Sequence, residues 1–148
     1  MSKPVEPTGR PSQWTRFSDA STSEQAAILD TCRELTDGIY EGLDVGREIR
    51  AVADQKLGET VLLHNEAKLA GLAVCHTGAG TEAGSGVSYI KFGAARPGAD
   101  ARQNFNCLLA ACEELARSQN LSSLTAGVNT ARDEAYCQML ARGFRAEL

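Results

Sequence analysis

Between Val87 and Gln119 the chain reads VSYIKFGAARPGADARQNFNCLLAACEELARSQ, a short strand pattern that turns at Arg96-Pro97-Gly98 into a long helical one. Such a corner can do chemistry without a catalytic side chain. The first amides of a helix have no intrahelical partner, and the helix dipole adds positive character there, so an anion beyond the strand's end is stabilised. Gly93, Ala94, Ala95, Gly98 and Ala99 are small enough for backbone to approach a ligand closely. The expected ligand is a phosphate-bearing cofactor. A triphosphate loop is excluded, because its Gly-Lys-[Ser/Thr] ending is replaced here by Gly98-Ala99. The dinucleotide fingerprint G-x-G-x-x-G does not occur at this junction either.

The other chemistry-bearing residues point nowhere in particular. Cys32, Cys75, Cys107, Cys112 and Cys137 are odd in number, contain no C-x-x-C pair and fall within apolar helix or strand patterns. They read as small core residues of a protein in a reducing compartment, and no metal site is expected. His76 and Glu82 read as structural or solvated residues.

Composition narrows the partners. A chain of 148 residues fits one domain with a proper core. No apolar run approaches the ~20 residues that cross a bilayer, and the N-terminus lacks the apolar stretch of a secretion signal, so a cytoplasmic protein without membrane contact is expected. A net charge of −4 and a pI near 5.2 argue against nucleic acid as a partner, since binding phosphates needs a basic face.

The elements that position the corner follow in order. Residues 1–13 hold three of the four prolines and show no period, which predicts a flexible tail ahead of a single domain over 14–148. Trp14–Phe17 reads as a short strand. Ser21 and Glu24 have capping-box spacing before a helix whose Ile28, Cys32, Leu35 and Ile39 form one apolar face. A second helix follows Asp44 and ends near Leu57. Residues 60–64 and 69–76 read as a hairpin, and the glycine-rich stretch 78–86 as an exposed loop. After the strand Val87–Phe92 and the helix beyond the corner, Leu121–Val128 predicts a parallel strand, with right-handed crossover. Asn129 or Thr130 caps a last helix that stops at Gly143.

Two motifs in this order carry a resemblance. Arg96-Pro97-Gly98-Ala99-Asp100-Ala101 resembles the Gln/Arg-x-x-Gly-x-Gly/Ala cofactor loop of the GNAT superfamily of N-acetyltransferases, with the central glycine one position early. The closing segment from Asn129 to Gly143-Phe144 resembles the family's last helix. The resemblance implies an α/β (α+β) fold with a GNAT-like mixed sheet and helices on both faces. It also implies acetyl-CoA as co-substrate, transferred to a primary amine of a small molecule or protein. The backbone of Phe92, Gly93 and Ala94 would meet the pantetheine arm. Arg96 and the amides of Gly98, Ala99, Asp100 and Ala101 would meet the pyrophosphate, with Asn129 beside the cofactor. Tyr136 is either the acid that protonates the leaving thiolate or a core residue, since the family's tyrosine falls where Met139 stands. Family members continue past Gly-Phe into two more strands, which are missing here, so an open sheet edge and a homodimer are expected. Asp100, facing the place of a pyrophosphate, motivates a second reading, a catalytically inactive binding or assembly module of the same fold.

Overall fold

The computed structural model of the chain describes residues 1–5, 13–127 and 133–146, the side chains of Asp133, Glu134 and Tyr136 excepted. The first helix, α1 (Thr22–Asp37), starts where the sequence predicts. Ser21 accepts the Glu24 amide and the Glu24 carboxylate accepts the Ser21 amide, satisfying two donors that the helix end would otherwise leave free. Helix α2 (Gly46–Asp54) begins after Asp44, whose Oδ1 accepts the Gly46 amide at 2.8 Å.

Strands β3 (Gly58–Asn65) and β4 (Lys68–Thr77) form the expected hairpin, and β5 (Val87–Ala95) pairs antiparallel with β4. Helix α3 (Ala101–Ser118) then crosses to β6 (Ser123–Ala126), parallel to β5, and α4 (Asp133–Ala141) follows. Alternate residues of the same strands are buried on opposite faces. Val61, Leu63, Ala73, Cys75 and Ile90 pack with α3 and α4, whereas Leu62, Leu72 and Val74 pack with Cys32, Leu35, Ile49 and Val52 of α1 and α2. A sheet covered on both sides needs near-continuous apolar strands, which β3 and β4 supply.

Beyond β6 the structure departs from expectation. The start of the supposed tail is a strand, β1 (Ser2–Pro4), antiparallel to β6, and the six-stranded order is β1-β6-β5-β4-β3-β2, with β2 at Trp14–Arg16. On its outer side Ser2 exchanges both backbone hydrogen bonds with Arg145, just past α4. The place expected to lie empty for want of terminal strands is thus filled from the other end of the same chain. Three residues carry no readable period, and β1 is held by tertiary terms instead: Met1 and Val5 on either side of it pack against the core cluster, and Lys3 is paired with Glu113. Pro4 has no N–H, which blunts the edge. The outer side of β6, expected to be open, is therefore paired with β1, which becomes the edge strand.

Candidate functional site

Strands β5 and β6 pair only from Val87↔Ser123 to Ile90↔Ala126. Past Ile90, β5 runs on for five residues to Ala95, further than the Phe92 limit read from the sequence, with no partner on that side among the described residues. The parting coincides with a bulge. Val74 pairs with Phe92 and Cys75 with Ile90, so Lys91 is the extra residue. A bulge adds local twist and turns the strand beyond it. The Arg96 amide donates to Ala70 O, so by the alternation of an antiparallel ladder Gly93 and Ala95 direct their backbone groups into the parting, away from β4. Unpaired strand backbone is costly unless solvent or a ligand completes it.

At the far end of β5 the corner bears amides. Asp100 sits at the N-cap of α3 with no side-chain capping bond, and the amides of Gly98, Ala99 and Asp100 have no hydrogen-bond partner among the described residues. The Ala101 amide, expected to be free, donates instead to Gly98 O at 3.2 Å. Gly98 has φ +140, a conformation that side-chain-bearing residues rarely adopt. The corner forms one wall of a cleft of about 370 Å³ whose other wall is the β3–β4 turn, with Asn65, Lys68, Arg96 and Asn104 on its lining. Arg96 is turned back into the fold. Its Nε donates to Leu69 O at 2.7 Å and its Nη1 lies 3.6 Å from Glu34 Oε1, so part of its guanidinium is already engaged.

The structure brings the corner residues and the parting together on one strand, β5, at the N-terminus of α3. Phe92 is partly buried and Ala94 buried against α1 and α2, while Gly93 lies toward α3. Tyr136 is on α4, but its side chain is outside the described residues, as is Asn129. On the α1–α2 side, His76 is buried and its Nδ1 accepts the Glu82 amide at 3.4 Å. Lys91 lies between Glu82 at 3.2 Å and Glu48 at 3.4 Å. The hydrogen bond it donates to Glu82 first, with help from Glu48, holds its ammonium above the usual lysine range. The bulge was missed at the sequence level because Tyr89, Lys91 and Gly93 continue the outward alternation of an ordinary strand. A glycine two residues past a lysine in a strand was its only trace.

Among the described residues there is no cluster of three metal-binding side chains, and no helix is long and apolar enough to cross a membrane.

No protein-family model and no curated protein matches the sequence. Solved structures do match its fold. A protein of Arthrobacter sp. FB24 superposes with a TM-score of 0.65 at 19% identity, covering 93% of this chain and 88% of that one. The ribosomal-protein-alanine N-acetyltransferase of Brucella melitensis gives 0.59 at 18%, covering 89% and 83%. A GCN5-related N-acetyltransferase of Sphaerobacter thermophilus gives 0.51 at 12%, covering 90% of this chain and 44% of that one. The six-stranded mixed sheet with helices on both faces is a GNAT-like acetyltransferase fold.

Proposed function

We propose that the protein is an acetyl-CoA-dependent N-acetyltransferase acting on a primary amine of a small molecule or a protein. The observation that carries this reading is the parting of β5 from β6 after Ile90, on the strand that ends at a corner of unpartnered amides. The two features would serve the two polar parts of one long ligand. The backbone of Gly93 and Ala95 would complete its hydrogen bonds with the amide-bearing pantetheine arm, much as an added strand does. The amides of Gly98, Ala99 and Asp100 would face the diphosphate, aided by the dipole of α3. The role left to Arg96 is to fix the corner through Leu69 O while adding positive potential nearby.

When bound, the thioester supplies an activated acyl carbonyl. The chain's own task is to aim an amine at it and to manage protons. An alkylammonium with a pKa near ~10.4 must lose a proton before it attacks, so a base or a water path is required on the acceptor side. Tyr136 on α4 is the proposed acid for the departing thiolate. The acceptor in the name of the Brucella protein, a ribosomal-protein alanine, falls within the proposed class.

The test is calorimetric titration with acetyl-CoA, followed by coenzyme A release with a panel of amines. Gly98→Val should weaken acetyl-CoA binding at least about tenfold, because valine cannot hold the corner's backbone; unchanged affinity refutes this placement. A second reading, a non-catalytic binding module, draws support from Asp100, whose carboxylate opposes a diphosphate, and from the prior engagement of Arg96. Under it acetyl-CoA or another anionic ligand binds, and no amine is acetylated.

A further inference from the structure

Tyr89 belongs to the last pair but one between β5 and β6, opposite Thr125 on β6 and His76 on β4. Cross-strand neighbours share a face, so its ring lies with His76 on the α1–α2 side of the sheet. There it leans along the strand toward the parting. A Cβ on Gly127, the first residue past the last pair Ile90↔Ala126, would lie 3.8 Å from Tyr89 Oη. The side chain is partly buried, and its hydroxyl has no hydrogen-bond partner among the described residues. A phenol withdrawn from water usually finds one. Lys91, two residues on, presents its ammonium on the same side, between Glu48 and Glu82. The α3 side of the parting is closed instead. The nearest atoms to a Cβ on Gly93 would be side chains there, Ile90 Cγ2 at 3.4 Å, Leu108 Cδ2 at 3.9 Å and Ala73 Cβ at 4.0 Å.

We propose that the Tyr89 hydroxyl holds the attacking amine, an inference that rests on the acyltransferase reading above. An arm lying in the parting as an added strand keeps its amides, and the thioester that continues it, near the plane of the sheet. A nucleophile reaches a carbonyl carbon through its face, and the two faces of that thioester look toward α3 and toward α1–α2. With the α3 side filled, the amine arrives over Tyr89. The hydroxyl oxygen accepts one N–H of the neutral amine and aims the nitrogen lone pair at the carbonyl carbon. The C–N bond forms and the C–S bond breaks, with the electron pair leaving on sulfur. The proton shed by nitrogen passes to water, and the thiolate is protonated by the acid proposed on α4. Lys91 already places a primary ammonium on this face, beside the carboxylates of Glu48 and Glu82. Tyr89 is thus a catalytic residue of the acceptor side.

The experiment compares the wild-type chain with Tyr89→Phe, measuring acetyl-CoA affinity by calorimetry and steady-state transfer to n-butylamine, putrescine and a peptide that begins with alanine. Phenylalanine keeps the ring and its packing and removes only the hydroxyl. The acetyl-CoA Kd should stay within about twofold and the melting temperature should not move. For the amine that the wild type acetylates fastest, kcat/KM should fall about tenfold or more, the size of one hydrogen bond lost from a reacting group. An unchanged kcat/KM overturns the assignment while the acyltransferase reading stands. So does a loss of acetyl-CoA affinity that accounts for the lost rate, since the hydroxyl then serves the cofactor or the fold. Failure of the wild type to bind acetyl-CoA, or to acetylate any of the amines, overturns both.

Discussion

Lys3 Nζ lies 2.8 Å from Glu113 Oε2, with only 7% and 6% of the two side chains exposed, and the pair ties the first strand to the middle of α3. Arg142 approaches the same carboxylate oxygen at 3.9 Å. An ion pair so removed from water contributes little net stability against an apolar replacement, but removing one partner leaves the other charge buried with weaker compensation.

Lys3→Met should therefore cost about 3–5 kcal/mol in urea unfolding, whereas Lys3→Met combined with Glu113→Leu should restore most of that loss. A single substitution costing less than about 1 kcal/mol would show that β1 is not anchored in this way.

The buried thiols predict alkaline sensitivity. Burial first, and the nearby Asp44 charge second, push Cys32 up to about 12 from an ordinary 9.0. Cys112 is also raised, first by its hydrogen bond with Cys75 Sγ at 3.9 Å and then by burial. Because the folded-state values are raised, the stability these thiols contribute is complete below pH 9.0 and declines above it, as the unfolded chain ionises first. Each thiol should give a slope of about 1.4 kcal/mol per pH unit as the pH rises above 9. Cys32→Ala should flatten the decline, measured by unfolding between pH 8 and 10.5. Cys137, which is exposed, should be the thiol that a maleimide labels first in the native protein.

Gly58 should tolerate no side chain. A Cβ there would stand 2.0 Å from Cys75 O and 2.9 Å from His76 Cα, both backbone atoms of the paired strand. Gly58→Ala should lower stability by roughly 2 kcal/mol or more, through overpacking that only a strand shift can relieve. Gly93→Ala is the matched control, and thermal unfolding of the two variants should separate them clearly.

Ser21→Ala removes one half of the capping box on α1 and should cost about 1 kcal/mol, with Ser21→Asp recovering it. An unchanged melting temperature for the alanine variant would mean that the helix end is held by packing alone.

What the sequence made legible was local. The start of α1 could be read from Ser21 and Glu24 because a capping box joins residues three apart, and the corner at Pro97-Gly98 because proline and glycine limit the backbone wherever they stand. The features missed depend on partners far along the chain. Ser2-Lys3-Pro4 becomes a strand only because β6 and Glu113 are there to receive it. The bulge at Lys91 needs the register of β4 to be seen, and the turning of Arg96 toward Leu69 and Glu34 needs two elements that sequence spacing does not bring together.

The pairing of the first strand with β6 also carries a kinetic consequence. The Met1 amino group meets Ala126 O, 125 positions further along, and Ser2 meets Arg145 beyond that, so this edge closes loops nearly as long as the chain. Closing so long a loop carries a high entropic cost and rewards the chain only once α3 and β6 are in place. The hairpin β3–β4 should consequently gain protection from hydrogen exchange early in refolding, and the amides of Ser2, Lys3 and Val5 last, with β6 a bare strand rim for the whole interval between them.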